Sequence, residues 1–218
     1  MKRAVRFAIC LAAGALFSPD ASAESLHLHG VIQAFDGNTL TIKADSGKTA
    51  LVAILPQTRI VRSWIMMLSD LKAGDYVATL SMADPKGNLH VQSVRVLASA
   101  LSSNDEGQYK LESNPARIVT NGTVSAVSLS SSTLSIVFHG AGGDGATSCT
   151  GRAPPGSAGC TGNADLLIAR GVPIIAVTNG DTSLFRLGAI VSVSATSDAA
   201  SLLTASSVSV EREGKLPQ

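Results

Sequence analysis

Two cysteines, Cys149 and Cys160, are the side chains of this 218-residue chain whose type and spacing point most directly to chemistry. Eight of the chain's 20 glycines lie between His139 and Asn163, so this segment gains order if the two thiols are crosslinked. Closing the twelve residues from Cys149 to Cys160 stabilises the fold by about 3 kcal/mol in the chain-entropy model. The functional alternatives are a metal site, for which His139 and Asp144 are the only nearby ligands, and a redox pair, which is normally spaced Cys-x-x-Cys. We predict a structural disulfide between Cys149 and Cys160.

Two histidines, His27 and His29, offer a second candidate for chemistry. Residues two apart in a strand point to the same face, with their side chains about 7 Å apart. The two imidazoles could therefore hold a metal ion if a third ligand such as His90 joined them. The alternative is that they form the polar outer face of a strand whose Leu26 and Leu28 are buried, and this is the interpretation that we favour.

Patterns typical of enzymes and of nucleic-acid-binding proteins are missing from the sequence. It contains no Gly-x-Ser-x-Gly elbow, and Asp36, Asp45, Asp75 and Asp84 all stand in turn contexts, where aspartate is favoured for its backbone hydrogen bonds. Single-stranded nucleic acid is bound by basic grooves with aromatic platforms, whereas aromatic residues make up 4% of this chain. We therefore expect no catalytic residues, no cofactor and no nucleic-acid partner.

The N-terminal segment 1–23 has the pattern of a secretory signal peptide. Its basic start, uncharged apolar stretch and small-residue end are, in order, Lys2, Arg3 and Arg6, then 7–17, then Ala21-Ser22-Ala23. Cleavage is expected between Ala23 and Glu24. It would remove Cys10 and leave 14 basic and 15 acidic residues, a formal charge of −1. The chain has no run of about 20 apolar residues that would span a bilayer, so we expect a periplasmic or secreted protein, in which thiols usually pair.

Beyond the leader, alternating apolar and polar residues predict short strands joined by tight turns. In residues 24–98 the predicted strands are 26–35, 39–43, 50–55, 76–82 and 89–97. The turns 36–38 and 84–88 are rich in Asp, Gly and Asn. Between the third and fourth strands, Trp64, Met67, Leu68 and Leu71 fall at helical spacing and predict a short helix.

The same order of elements recurs in residues 118–212, which indicates an internal duplication. The segment 122–127 matches 30–35, 184–191 matches 70–77, and 207–210 matches 93–96. The sequence therefore predicts a first domain (24–98), a linker (99–117), a second domain (118–212) with a loop insertion at about 139–163, and a tail (213–218). We further expect that 24–98 folds without the second copy.

Three strands, a short helix and two more strands are the element order of an OB-fold, a small five-stranded barrel; the competing interpretation is an open β-sandwich. The motifs 30–32, 36–42, 71–77 and 94–96 resemble the DUF5666-type domains, bacterial periplasmic OB-like domains of unknown function. The resemblance implies an all-β fold of two tandem five-stranded OB-like barrels, each with a short helix between strands 3 and 4. It implies no particular chemistry.

These observations together favour an exported, non-enzymatic β-barrel protein that binds a protein or a small molecule as an accessory factor. The alternative is a periplasmic metal-binding protein that uses His27 and His29. The sequence does not specify the ligand or the oligomeric state.

Overall fold

The computed structural model describes residues 24–98, 106–142, 149–152, 159–198 and 202–212. The predicted signal peptide and the predicted tail lie outside the described residues. Over the described residues the chain folds into fourteen strands that belong to one mixed sheet, which confirms the predicted all-β class. No helix among these residues is long and apolar enough to cross a membrane.

The first copy contributes six strands. They are β1 (Glu24–Phe35), β2 (Thr39–Ala44), β3 (Thr49–Ala53), β4 (Arg59–Met66), β5 (Tyr76–Ala83) and β6 (Leu89–Leu97). The remaining eight follow along the chain. They are β7 (Gly107–Leu111), β8 (Asn114–Ser128), β9 (Thr133–Gly140), β10 (Gly151–Arg152), β11 (Cys160–Leu167), β12 (Ile174–Asn179), β13 (Ile190–Ser197) and β14 (Leu203–Glu211).

The first three strands close into a ring with the last two strands of the chain. β1 pairs antiparallel with both β2 and β13, β2 pairs with β3, β13 pairs with β14, and β3 meets β14 in parallel at Val52↔Leu203. The interior of this first ring is a buried apolar cluster with members from both sequence copies, such as Leu40 and Val208. Phe185 of the second copy packs edge-on against Phe35 of the first, with ring centroids 4.9 Å apart.

The second ring is built in the same way from the strands that remain. β8 pairs antiparallel with β9 and with β5, β9 pairs with β11, β5 pairs with β6, and β11 meets β6 in parallel at Leu166↔Leu89. Its buried cluster again mixes the copies, with Val77 and Val94 from the first and Ile136 and Phe138 from the second. Each ring therefore takes three strands from one copy and two from the other.

Strands β4 and β12 cross between the rings and join them into one sheet. They pair antiparallel with each other, with Ser63 opposite Val177. Each also pairs in parallel with the last strand of a copy: Val61 of β4 faces Ser209, and Ile175 of β12 faces Arg95. The two contacts are equivalent, because Ile175 lies 114 positions after Val61 and Ser209 lies 114 positions after Arg95. The internal duplication is therefore also a pseudo-symmetry of the structure.

The predicted arrangement of two tandem barrels, one per copy, is therefore wrong, because the strands form one fourteen-stranded sheet in which the copies exchange strands. The predicted helix between strands 3 and 4 is wrong as well. Strand β4 occupies residues 59–66, and only the three-residue 3-10 turns Leu68–Asp70 and Thr182–Leu184 follow β4 and β12. The β-branched residues Ile60, Val61 and Ile65 suit a strand, and β12 and β14 hydrogen-bond β4 on both sides.

Two segments are more ordered than their composition predicts. Part of the predicted linker forms β7, which pairs with β8, and residues 114–117 begin β8 itself. In the predicted insertion, β9 and β11 extend as a paired ladder to Gly140↔Cys160. The short strand β10 then pairs with β7, so the insertion and the linker are held together by backbone hydrogen bonds.

Candidate ligand groove

A concave groove of about 490 Å³ runs across the outer face of the sheet where the first ring meets the two crossing strands. Side chains from six neighbouring strands, in the order β6-β12-β4-β14-β13-β1, line it. The lining residues that the following paragraphs use are His27, His29, Arg59, Val61, Ser63, Arg95, Leu97, Ile175, Val177, Ser192, Ser194, Ser207, Ser209 and Glu211. Because the six strands come from both copies, neither copy could form the groove by itself.

One wall of the groove is a row of hydrogen-bonding side chains. The registers place His27 opposite Ser194, Ser194 opposite Ser207 and Ser207 opposite Arg59. His27 Nδ1 and Ser194 Oγ lie 3.1 Å apart. Neighbouring strands are about 4.8 Å apart, so an imidazole, two hydroxyls and a guanidinium stand side by side along about 14 Å.

A second row runs beside the first, from His29 to Ser192, Ser209 and Val61. Ser209 Oγ donates a hydrogen bond of 2.8 Å to Ser63 Oγ, which ties β14 to β4 within the groove lining. In this second row, the hydroxyls on β13 and β14 are therefore followed by the aliphatic side chain of Val61 on β4.

His29 is held between two carboxylates. Its Nδ1 lies 2.6 Å from Asp45 Oδ2 and its Nε2 lies 3.5 Å from Glu211 Oε1. The hydrogen bond to Asp45 raises the pKa of His29 above its usual value, and Glu211 adds to this effect. Glu211 is the one acidic residue among the described residues that line the groove, and it faces His29.

The structure places His27 and His29 on the same groove-lining face of β1, but it does not bring His90 to them. His90 Nε2 instead lies 3.2 Å from Asp84 Oδ2, and both ring nitrogens of His29 face carboxylates. Within the described ranges no group of three or more His, Cys, Asp and Glu side chains could hold a metal ion.

The other wall of the groove is aliphatic. Val61, Ile175, Val177 and Leu97 line it. Strand alternation puts Ile65, which is 72% exposed, on the same face of β4 as Val61. Ile65 faces Ile175 across the β4–β12 pair. The groove is therefore amphipathic, with hydroxyls and imidazoles on one side and aliphatic groups on the other.

The predicted disulfide between Cys149 and Cys160 is confirmed, with a Cα–Cα distance of 5.6 Å. It joins the residue that begins β11 to the short segment that carries β10. Beside it, the Arg152 guanidinium carbon lies 4.1 Å from the centre of the Tyr109 ring. The disulfide therefore fixes the contact between the insertion and β7, at a site separate from the groove.

Comparison of the chain with protein-family models, with curated proteins and with solved structures finds no match. Sequence reasoning identified His27 and His29 but missed Arg59, Arg95 and the serine rows. The serines stand at every second position of β13 and β14, which indicates a polar outer face. Nothing local in the sequence indicates that this face adjoins β4 and β12.

Proposed function

We propose that this chain is an exported, non-enzymatic binding protein that holds its ligand in the groove. The observation that carries the proposal is that the groove is amphipathic and is assembled by strands of both copies. We also propose that each five-stranded ring is an OB-like barrel built by strand exchange. The strand order around each ring, in which the third strand meets the fifth in parallel, supports this.

Export is part of the same proposal. The disulfide between Cys149 and Cys160 supports it, because disulfides persist in oxidising compartments and are rare in the cytosol. The pattern of residues 1–23 adds the expectation of a cleaved signal peptide. We therefore propose a periplasmic or secreted location.

The proposal is tested by capture with a blocked groove. Ser192 is an exposed strand residue of the groove wall, so Ser192→Trp should fill the groove while the strand is retained. Ser125→Trp, at an exposed position of β8, is the matched control. Each immobilised protein is exposed to extract from the compartment, and the retained molecules are identified by mass spectrometry. A molecule retained by the wild type and by Ser125→Trp but lost with Ser192→Trp supports the proposal, and identical retention by all three contradicts it.

A metal-binding function is the second candidate, because His27 and His29 share one face of the groove. Titration with Cu²⁺, Ni²⁺ and Zn²⁺ tests it directly. Submicromolar binding that is lost in the double variant His27→Ala/His29→Ala would favour the metal function over the proposed one.

A further inference from the structure

We infer that the groove binds an extended acidic peptide segment of a partner protein, one with acidic residues towards both ends and aliphatic residues between them. This inference rests on the proposed binding function and names its ligand class. Three observations carry it: the two arginines in the groove, the distance between them, and the aliphatic wall that lies between them.

The charges come from two arginines. Arg59 and Arg95 line the groove, are exposed, and form no ion pair with any described residue. Glu211 is already engaged by His29. A concave surface focuses the field of the charges that line it, so the groove attracts anionic groups although the chain as a whole is close to neutral.

The spacing of the two arginines fits an extended chain. Arg95 faces Ile175, and Ile175 faces Ile65, which is six residues along β4 from Arg59. At about 3.3 Å per residue and about 4.8 Å per strand, the Cα atoms of the two arginines are about 22 Å apart. That distance is spanned by about seven residues of extended peptide.

The aliphatic wall of the groove, which lies between the two arginines, favours a peptide as the ligand. Val61, Ile175 and Val177 lie there, and they would bury the aliphatic side chains of a bound segment. The hydroxyl of Ser207, directly beside Arg59, makes no side-chain hydrogen bond to a described residue, so it is free to contact a peptide backbone. Carboxylates at the ends would then meet the guanidinium groups, which present paired donors that match a carboxylate.

Binding is measured by fluorescence anisotropy with the intact mature chain. The probe is the labelled peptide Glu-Glu-Val-Ser-Val-Ser-Val-Glu-Glu, and the control replaces every Glu by Lys. The acidic peptide should bind at least tenfold more tightly than the basic one. Its affinity should also fall by about tenfold between 0.05 and 0.5 M salt, because exposed charges are screened.

Single-residue variants distinguish binding in the groove from attraction of the peptide by positive charge elsewhere on the protein. Arg59→Ala and Arg95→Ala should each weaken binding of the acidic peptide by about fivefold, as expected for loss of one exposed charge pair. Arg62→Ala is the matched control, because Arg62 is exposed on the same strand but points to the opposite face. Arg59→Lys, which keeps the charge but not the paired donors, should lose less affinity than Arg59→Ala, and the urea-unfolding midpoint of Arg59→Ala shows whether that variant is folded.

Equal binding of the acidic and basic peptides, or an equal loss in Arg62→Ala, would overturn the inference. So would tight binding of an acidic polysaccharide such as polygalacturonate through the same arginines, with no binding of the peptide. If the peptides fail while Ser192→Trp still abolishes capture of a molecule from extract, the ligand class is wrong and the binding function stands. If both experiments fail, the proposed function fails with the inference.

Discussion

Gly30 and Gly122 occupy equivalent positions of the two copies, and at each of them the first strand of a ring leaves no room for a side chain beside the next strand. A Cβ atom at Gly30 would lie only 2.2 Å from the carbonyl oxygen of Lys43, and one at Gly122 only 2.4 Å from that of Val137. Both obstacles are backbone atoms, so the strands themselves would have to separate. The pairing of these glycines in the sequence alignment thus has a steric cause.

We therefore predict that Gly30→Ala and Gly122→Ala each destabilise the fold by about 2 kcal/mol, within the range for overpacking of a tight site. The measurement is the midpoint of urea unfolding. Ser125→Ala, at an exposed position three residues from Gly122, is the control and should change stability by less than about 0.5 kcal/mol. A change at Gly30 no larger than that of the control would contradict the close approach of β1 and β2.

His29 makes the stability of the protein depend on pH. Its pKa in the folded state is raised by Asp45, whereas in the unfolded chain it has its usual value near 6.5. A group whose pKa is raised on folding stabilises the folded state fully below the unfolded pKa, and this contribution is lost as pH rises through the folded pKa. The contacts of His29 join the turn after β2 to the end of β14, so this contribution acts on the closure of the first ring.

We predict that His29→Gln destabilises the protein by about 0.5 kcal/mol more at pH 5.5 than at pH 8.5, the magnitude of a solvent-exposed ion pair. Urea unfolding at the two pH values measures the difference. His27→Gln is the control for loss of an imidazole from the same face of β1, since His27 contacts the Ser194 hydroxyl and not a carboxylate. A larger effect of His29→Gln at the higher pH would reverse the sign and rule out this assignment.

At the scale of elements, the disulfide and the strands around it form one local unit. Cys160 begins β11, β10 pairs with β7, and Arg152 packs on Tyr109. Cys149 packs against the buried cluster of the second ring, but the cluster residues Leu134 and Phe138 lie on β9, which is paired along its length with β8 and β11. The unit and the core should therefore respond differently to reduction.

Reduction, or the double variant Cys149→Ser/Cys160→Ser, should accelerate hydrogen exchange in 107–111, 149–152 and 160–162. Exchange in 134–136 and 164–167 should stay slow, because the bridge closes only local chain. The comparison is made with and without reductant by mass spectrometry. If protection also falls in 124–127 and 190–193, the bridge supports the core of both rings. Two free thiols in the untreated protein would show that the disulfide between Cys149 and Cys160 is not formed, and the prediction would fail.

Strand positions followed from the sequence where alternation was bounded by strong turns. β6 begins at Leu89 and ends at Leu97 as predicted, since the Asp84–Asn88 turn fixes its start. In β4 two patterns conflict. The helical spacing of Trp64, Met67 and Leu68 predicts a helix, whereas the β-branched residues between 60 and 65 favour a strand. Partners that lie more than 100 residues away in sequence decided in favour of the strand, and no local pattern carries that information.

At the scale of the whole molecule, the duplication was visible in the sequence but the exchange of strands was not. Equivalent strands of two copies share the same pattern, so a ring closed within one copy and a ring closed between copies look alike along the chain. The crossing strands β4 and β12 determine which ring the later strands of each copy join. Each crossing strand runs from the ring of the three strands before it to the other ring, where the next strands of the same copy pair. The groove depends on this exchange and was missed for the same reason.

The exchange has a consequence for fragments. Residues 24–98 contain β1–β3 of one ring and β5–β6 of the other, so they hold no complete ring. We now expect, contrary to the expectation from sequence, that 24–98 does not fold as a monomer. We predict that 24–98 and 106–212, expressed separately and mixed, form a 1:1 complex with a cooperative thermal transition that neither fragment shows as a monomer.

Analytical ultracentrifugation and circular dichroism of the fragments and their mixture test this prediction. A folded homodimer of 24–98 would agree with it, because one copy supplies both parts of a ring and two molecules could exchange them as the two copies of the chain do. The matched control is 24–98 with Gly30→Ala, which should weaken the complex because the substitution separates β1 from β2. A monomeric 24–98 that melts cooperatively and gains nothing from 106–212 would show that each copy can close its own ring.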